Sequence, residues 1–243
     1  MRYAAMLSFP LALGACGINA PTVNPVPYDP SYLQISLSGS IPADDRQAVQ
    51  ELVDATLRII TSDDFSENLG RLDGRTSRLW LSPYGESMSS EDVARVYRGE
   101  VSGVRHVRTE VGFDPDNSTP VQGFYYQPTF HSRITLTPDV LRRWSSGSLK
   151  QQSCAINTMA HEISHTFSTS PTSGEWIIAD KGKGVWPSLF YGALASYTIG
   201  SVAQCTMLLE HEPQYDSLAA CLVEWGTDRF NSWGCDNAEG SNS

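Results

Sequence analysis

Between residues 43 and 61, Val49, Leu52, Val53, Leu57 and Ile60 recur at the spacing of one helical face, which predicts a first helix there. Farther on the period drops to two. His106 to Phe113 alternates and is rich in β-formers, Gly123 to Gln127 behaves similarly, and Ser132 to Thr137 is the clearest strand, with Arg78 to Leu81 a shorter one. Ser89 or Ser90 can cap a helix over 91–98. Pro138 suits the first turn of a short helix that runs through Trp144. Longer helices are expected from about Leu149 to Phe167 and from Ser188 to Glu210, stopping before Pro213, and a last one over Tyr215–Trp225. Strands and early helices thus precede a mostly helical second half, an α+β order rather than a regular alternation.

The chain begins differently. After Arg2, the run from Ala4 to Leu13 is apolar but far too short to span a membrane. It ends on Leu13-Gly14-Ala15-Cys16, which resembles the lipobox of bacterial lipoproteins. The resemblance implies that 1–15 is a signal peptide and that a lipid on Cys16 anchors the chain in the bacterial cell envelope. Its outer membrane or periplasmic face is favoured, because Gly17 rather than an aspartate follows Cys16. Residues 16–32 carry Pro21, Pro25, Pro27 and Pro30 among small and polar residues, the composition of an extended tether. One domain is expected over 33–236, with a loose tail at 237–243.

Cysteine arithmetic fits an exported chain. There are five cysteines. Lipidation of Cys16 leaves Cys154, Cys205, Cys221 and Cys235, which can close two bridges in three ways. The favoured scheme joins Cys154 to Cys205 and Cys221 to Cys235. A four-cysteine zinc site is disfavoured because the paired C-x-x-C spacing is missing. The net charge of −10 argues against nucleic acid as a partner, since phosphates call for a basic surface.

The chemistry concentrates in the predicted helix over 149–167. Its segment His161-Glu162-Ile163-Ser164-His165 has the form H-E-x-x-H. A residue advances about 100° round a helix, so His161 and His165 stand about 40° apart, one turn above the other. Two imidazoles can then reach one ion from the same face. Glu162 stands about 100° round from His161, beside the ligands, where a carboxylate can take a proton from water without ligating. Ile156, Met159, Ala160, Ile163 and Phe167 form an apolar stripe roughly opposite, so one face packs while the other presents ligands. The competing reading is a solvent-facing Glu-His helix without metal.

In this segment the chain resembles the zincin superfamily of metalloproteases. The resemblance is specific over His161–His165 and architectural over roughly 75–230. It implies a small mixed sheet ahead of the metal helix, Zn2+ held by His161 and His165, and a peptide or protein substrate laid along an edge strand, with Ser132–Thr137 placed to be that strand. It also implies hydrolysis by a zinc-activated water with Glu162 as general base. Tyr191 or Tyr197 could donate to the oxyanion, although both also suit packing.

Catalytic zinc usually takes three protein ligands. The metzincin branch wants Gly and His where this chain has Ser168 and Pro171. The gluzincin branch wants a glutamate on the following helix, which carries no acid before Glu210. An aspartate-ligand zincin fits somewhat better, with Asp180 as first choice, Glu175 second, and Glu210, His211 and Glu212 behind them. The aspzincin signature Gly-Thr-x-x-Asp is missing from the loop that holds Asp180. The alternative from a different class is a non-catalytic envelope lipoprotein whose zinc is structural. A non-peptide hydrolase using the same zinc site is a third.

Overall fold

The computed structural model describes residues 32–72, 78–80, 87–116, 124–127, 131–168, 178, 195–212 and 214–225. The leader, Cys16, Glu175, Asp180, Tyr191, Cys235 and the tail lie outside them. The protein is mixed, with helices and a small sheet, as the α+β reading expected.

Four strands make the main sheet: β1 (Ile35–Leu37), β5 (Thr109–Phe113), β6 (Phe124–Gln127) and β7 (His131–Leu136). Their spatial order is β1-β5-β7-β6, with β1, β5 and β7 parallel and β6 antiparallel to β7. The strand expected at the edge, 132–137, is therefore interior. Its alternation explains why: Ile134 and Leu136 are fully buried on one face while both of its backbone edges are paired. The edge beside it is β6. Two small ladders join β2 (Arg78–Trp80) to β3 (Ser87–Ser89) and β4 (Arg105–His106) to β8 (Phe167–Ser168). The single stretch expected over 106–113 is thus two strands, which pair with different partners on either side of Val107-Arg108.

The helices share one hydrophobic core with the sheet. α1 (Ala43–Ile60) buries Val49, Leu52, Val53 and Ile60 of the face its period announced, and Ile59 with them, while Leu57 is half-buried. α2 (Asp63–Gly70) had no sequence expectation; it starts on Ser62, whose hydroxyl accepts from Phe65 N. α3 (Ser90–Tyr97) is capped by Ser89, and α4 (Pro138–Ser146) opens on its proline. α5 (Leu149–Ser164) is the metal-helix candidate. It begins with a reciprocal cap, Gln151 N to Ser148 Oγ at 3.4 Å and Ser148 N to Gln151 Oε1 at 2.8 Å, which satisfies two otherwise unpaired N–H groups.

α5 ends three residues before the expected Phe167. Ser164 Oγ donates to His161 O and Thr166 Oγ1 to Ile163 O, both at 2.6 Å. These hydroxyls take up carbonyls at the helix end, and the chain leaves as β8. Phe167 is fully buried, with Tyr97 at 4.9 Å and His106 at 5.4 Å between ring centroids.

α6 (Ala195–His211) has 13 of its 17 residues buried, so it is wrapped by the rest rather than lying on the surface. α7 (Leu218–Trp225) follows and is shorter than expected at its start. Cys205 on α6 is bonded to Cys221 on α7, with Cα atoms 5.8 Å apart. This corrects the favoured pairing. The short connection turns α7 back beside α6 and brings 205 opposite 221, so neither is left for Cys154 or Cys235. Cys154 is itself disulfide-bonded. It is buried beside Cys205 and Cys221, with Leu208 and Tyr215 around them.

Candidate metal centre

The last turn of α5 carries His161 and Glu162, and His165 is its C-cap. Ile156, Met159, Ala160 and Ile163 are completely buried against the rest of the core, which fixes the rotation of the helix. Burial of an Ile or Met side chain contributes roughly 1.5–3 kcal/mol. The opposite side therefore has to present His161 and His165.

Their rings converge: Nε2 of His161 and Nε2 of His165 are 3.3 Å apart. Two nitrogens each 2.0–2.1 Å from a tetrahedral zinc would stand about 3.3–3.4 Å apart. The rings are nearly perpendicular, at 86°. The two donors thus suit one small divalent cation, in distance and in type.

A second feature settles which nitrogen of His165 is available. Its Nδ1 lies 3.1 Å from the carbonyl oxygen of Ile178. A carbonyl only accepts, so Nδ1 carries the proton and Nε2 of the neutral ring keeps its lone pair. A backbone acceptor behind a ligating histidine fixes both tautomer and ring orientation. Sequence gave no sign of this contact, because the acceptor is a main-chain atom thirteen residues on.

Glu162 is buried, as is His165, at 6% and 9% exposure. Its backbone carbonyl accepts from His165 N at 3.2 Å, which closes the final turn. Tyr197, half-buried at the start of α6, stands against His161 with ring centroids 4.5 Å apart. Of the two tyrosines considered for the site, this one is beside it; Tyr191 lies outside the described residues.

The remaining candidates separate cleanly. α6 runs antiparallel to α5: Tyr197 meets His161, while Gln204 meets Asn157 and Cys154. Glu210 is thirteen residues past Tyr197, about 20 Å farther along the axis at the helical rise. Glu210 and His211 are exposed and 3.7 Å from each other, and Glu212 follows them. These three are too far away to join His161, and they are withdrawn as ligands. Asp180 and Glu175 lie outside the described residues. Among the described residues, no group of three or more His, Cys, Asp or Glu side chains gathers as a metal site. The same residues contain no helix long and apolar enough to cross a membrane.

His106 was not singled out by sequence. It is buried opposite Phe167 in the β4–β8 ladder, and among the described residues neither ring nitrogen has a hydrogen-bond partner. Burial pulls its pKa down to about 3, so the ring is neutral. It belongs to the packing behind the exit of α5.

No protein-family model matches the chain, and neither a curated protein nor a solved structure shows detectable similarity to it.

Proposed function

We propose that the protein is a zincin-like, zinc-dependent metalloendopeptidase, lipid-anchored through Cys16 in a bacterial cell envelope, and that it cleaves peptide bonds there. The observation that carries this reading is the 3.3 Å approach of the two Nε2 atoms at the end of α5, with the His165 tautomer set by Ile178. His161 and His165 would hold the ion, and Asp180, two residues beyond Ile178 in sequence, is the preferred third ligand. When bound, zinc supplies a Lewis acid that polarises a carbonyl and acidifies water.

The chain's own residues account for the rest. Glu162 stands beside the histidines on the same turn and serves as general base, taking a proton from the attacking water and passing it to the leaving amine. Its burial keeps competing solvent away from the carboxylate. Among the described residues β6 is paired on one side only, by β7, and its other side offers main-chain groups along which an extended peptide can align.

Elemental analysis and peptide hydrolysis test the reading together. Wild type should contain one zinc per chain. His161→Ala should lose metal and activity at once. Glu162→Gln keeps the size but cannot accept the proton, so zinc should stay while turnover falls by about 10²–10⁴-fold. Wild type without stoichiometric zinc refutes the proposal. Zinc with unchanged hydrolysis in Glu162→Gln would leave the structural-zinc lipoprotein instead.

A further inference from the structure

The face of α5 that carries His161 also carries Asn157 and Cys154, at intervals of four and three residues. The facing side of α6 carries Tyr197, Gly200 and Gln204, at intervals of three and four. Both spans advance seven positions, about 10.5 Å of helix. Antiparallel packing makes them meet in layers: His161 on Tyr197, Asn157 on Gly200, and Asn157 with Cys154 on Gln204.

The middle layer is the tightest. A Cβ at Gly200 would come within 2.5 Å of Asn157 Oδ1 and 2.8 Å of Asn157 O. The first atom could swing aside; the second is backbone. In the helical ladder, that carbonyl is the acceptor for the N–H of His161. Register is set next to it. Asn157 Nδ2 donates to Gln204 Oε1 at 2.7 Å, and Gln204 Nε2 donates to Ser153 Oγ at 3.3 Å. A slide of one residue along α6 would break both bonds inside a contact that buries Gln204 and Ser153, where an unmade hydrogen bond is expensive.

We infer that α6 is the positioning element of the metal helix: Gly200 sets its distance, the Asn157–Gln204 pair sets its register, and Tyr197 thereby holds the His161 ring in its ligating orientation. The inference rests on the metal reading above for its purpose, but the positioning itself is readable without metal. Tyr197, Gly200 and Gln204 are positioning residues; they act through His161.

The experiment uses the full chain, before and after treatment with a chelator. Five histidines make the ring-proton NMR spectrum tractable, and His161 is assigned by the signal lost in His161→Gln. Tyr197→Leu should abolish the ring-current displacement of the His161 signal. Gly200→Ala should change it although the tyrosine is still present, and Gln204→Met, close in volume and free of overpacking, should do the same if Gly200→Ala folds poorly. Zinc affinity, measured by competition with a chromogenic chelator, should fall about tenfold or more in these variants, the usual effect of losing an outer support of a ligand. Tyr197→Phe, which keeps the ring, should restore both readouts. His161 signals and zinc affinities at wild-type values in both Gly200→Ala and Gln204→Met overturn the inference. Changed His161 signals in a wild-type background that binds no zinc uphold the positioning and remove the metal reading.

Discussion

Acid should loosen this protein through one residue, His106. Its ring is buried, neither nitrogen has a hydrogen-bond partner among the described residues, and burial lowers its pKa from 6.5 to about 3. The folded state therefore refuses a proton that the unfolded chain accepts. Stability is complete above the unfolded value of 6.5 and is lost as pH falls from there towards 3. Linkage gives the size: 1.36 kcal/mol for each pH unit of the gap, about 5 kcal/mol when both values have been passed. At pH 5 the loss is about 2 kcal/mol and at pH 4 about 3 kcal/mol. His106→Leu removes the titration, and it also removes two unsatisfied polar atoms from the interior, so at pH 7 the variant should be equal to wild type or more stable. Urea unfolding at pH 7, 5 and 4, followed by circular dichroism, supplies the assay. The carboxylates shared by both proteins cancel in the difference. The variant's advantage should grow by about 2 kcal/mol between pH 7 and pH 5. A constant difference across that range would show that His106 does not carry the effect.

Other outcomes follow from the same structure. Non-reducing peptide mapping should find Cys205 joined to Cys221, and the double change Cys205→Ser with Cys221→Ser should cost about 3 kcal/mol for a loop of this length, read from the urea midpoint. With Cys16 acylated, the same map should join Cys154 to Cys235; free thiol at either position would exclude that bridge. Expression in a bacterium should yield a membrane-associated product carrying lipid on Cys16, and an unmodified Cys16 in the mature protein would contradict the lipobox reading. Ser148→Ala should lower stability by about 1 kcal/mol through loss of the reciprocal cap of α5, measured by the same unfolding assay. On the zinc reading, chelation should lower the melting temperature of wild type but leave that of His161→Ala unchanged, since a ligand stabilises only the chain that binds it.

The local periods were legible in the sequence by themselves. The face of α1, the cap of α3, the proline opening of α4 and the strand β7 all follow from spacing and residue type, because one helical turn or one pleat decides them. So was the pairing of His161 with His165, since i and i+4 must share a helical face whatever surrounds them. What depends on distant residues was not legible. Which strand is the edge, which cysteine meets Cys205 and how far Glu210 lies from His161 are set by the order of strands and the antiparallel run of α6, and no local pattern encodes either. The end of α5 moved from Phe167 to Ser164 because Phe167 is pulled into the ring cluster of Tyr97 and His106, a tertiary gain that outweighs one more turn of helix. The Ile178 carbonyl behind His165 and the contact of Gly200 with Asn157 belong to the same class. A main-chain oxygen and a missing side chain leave no chemical mark in a sequence, and only packing gives them their role.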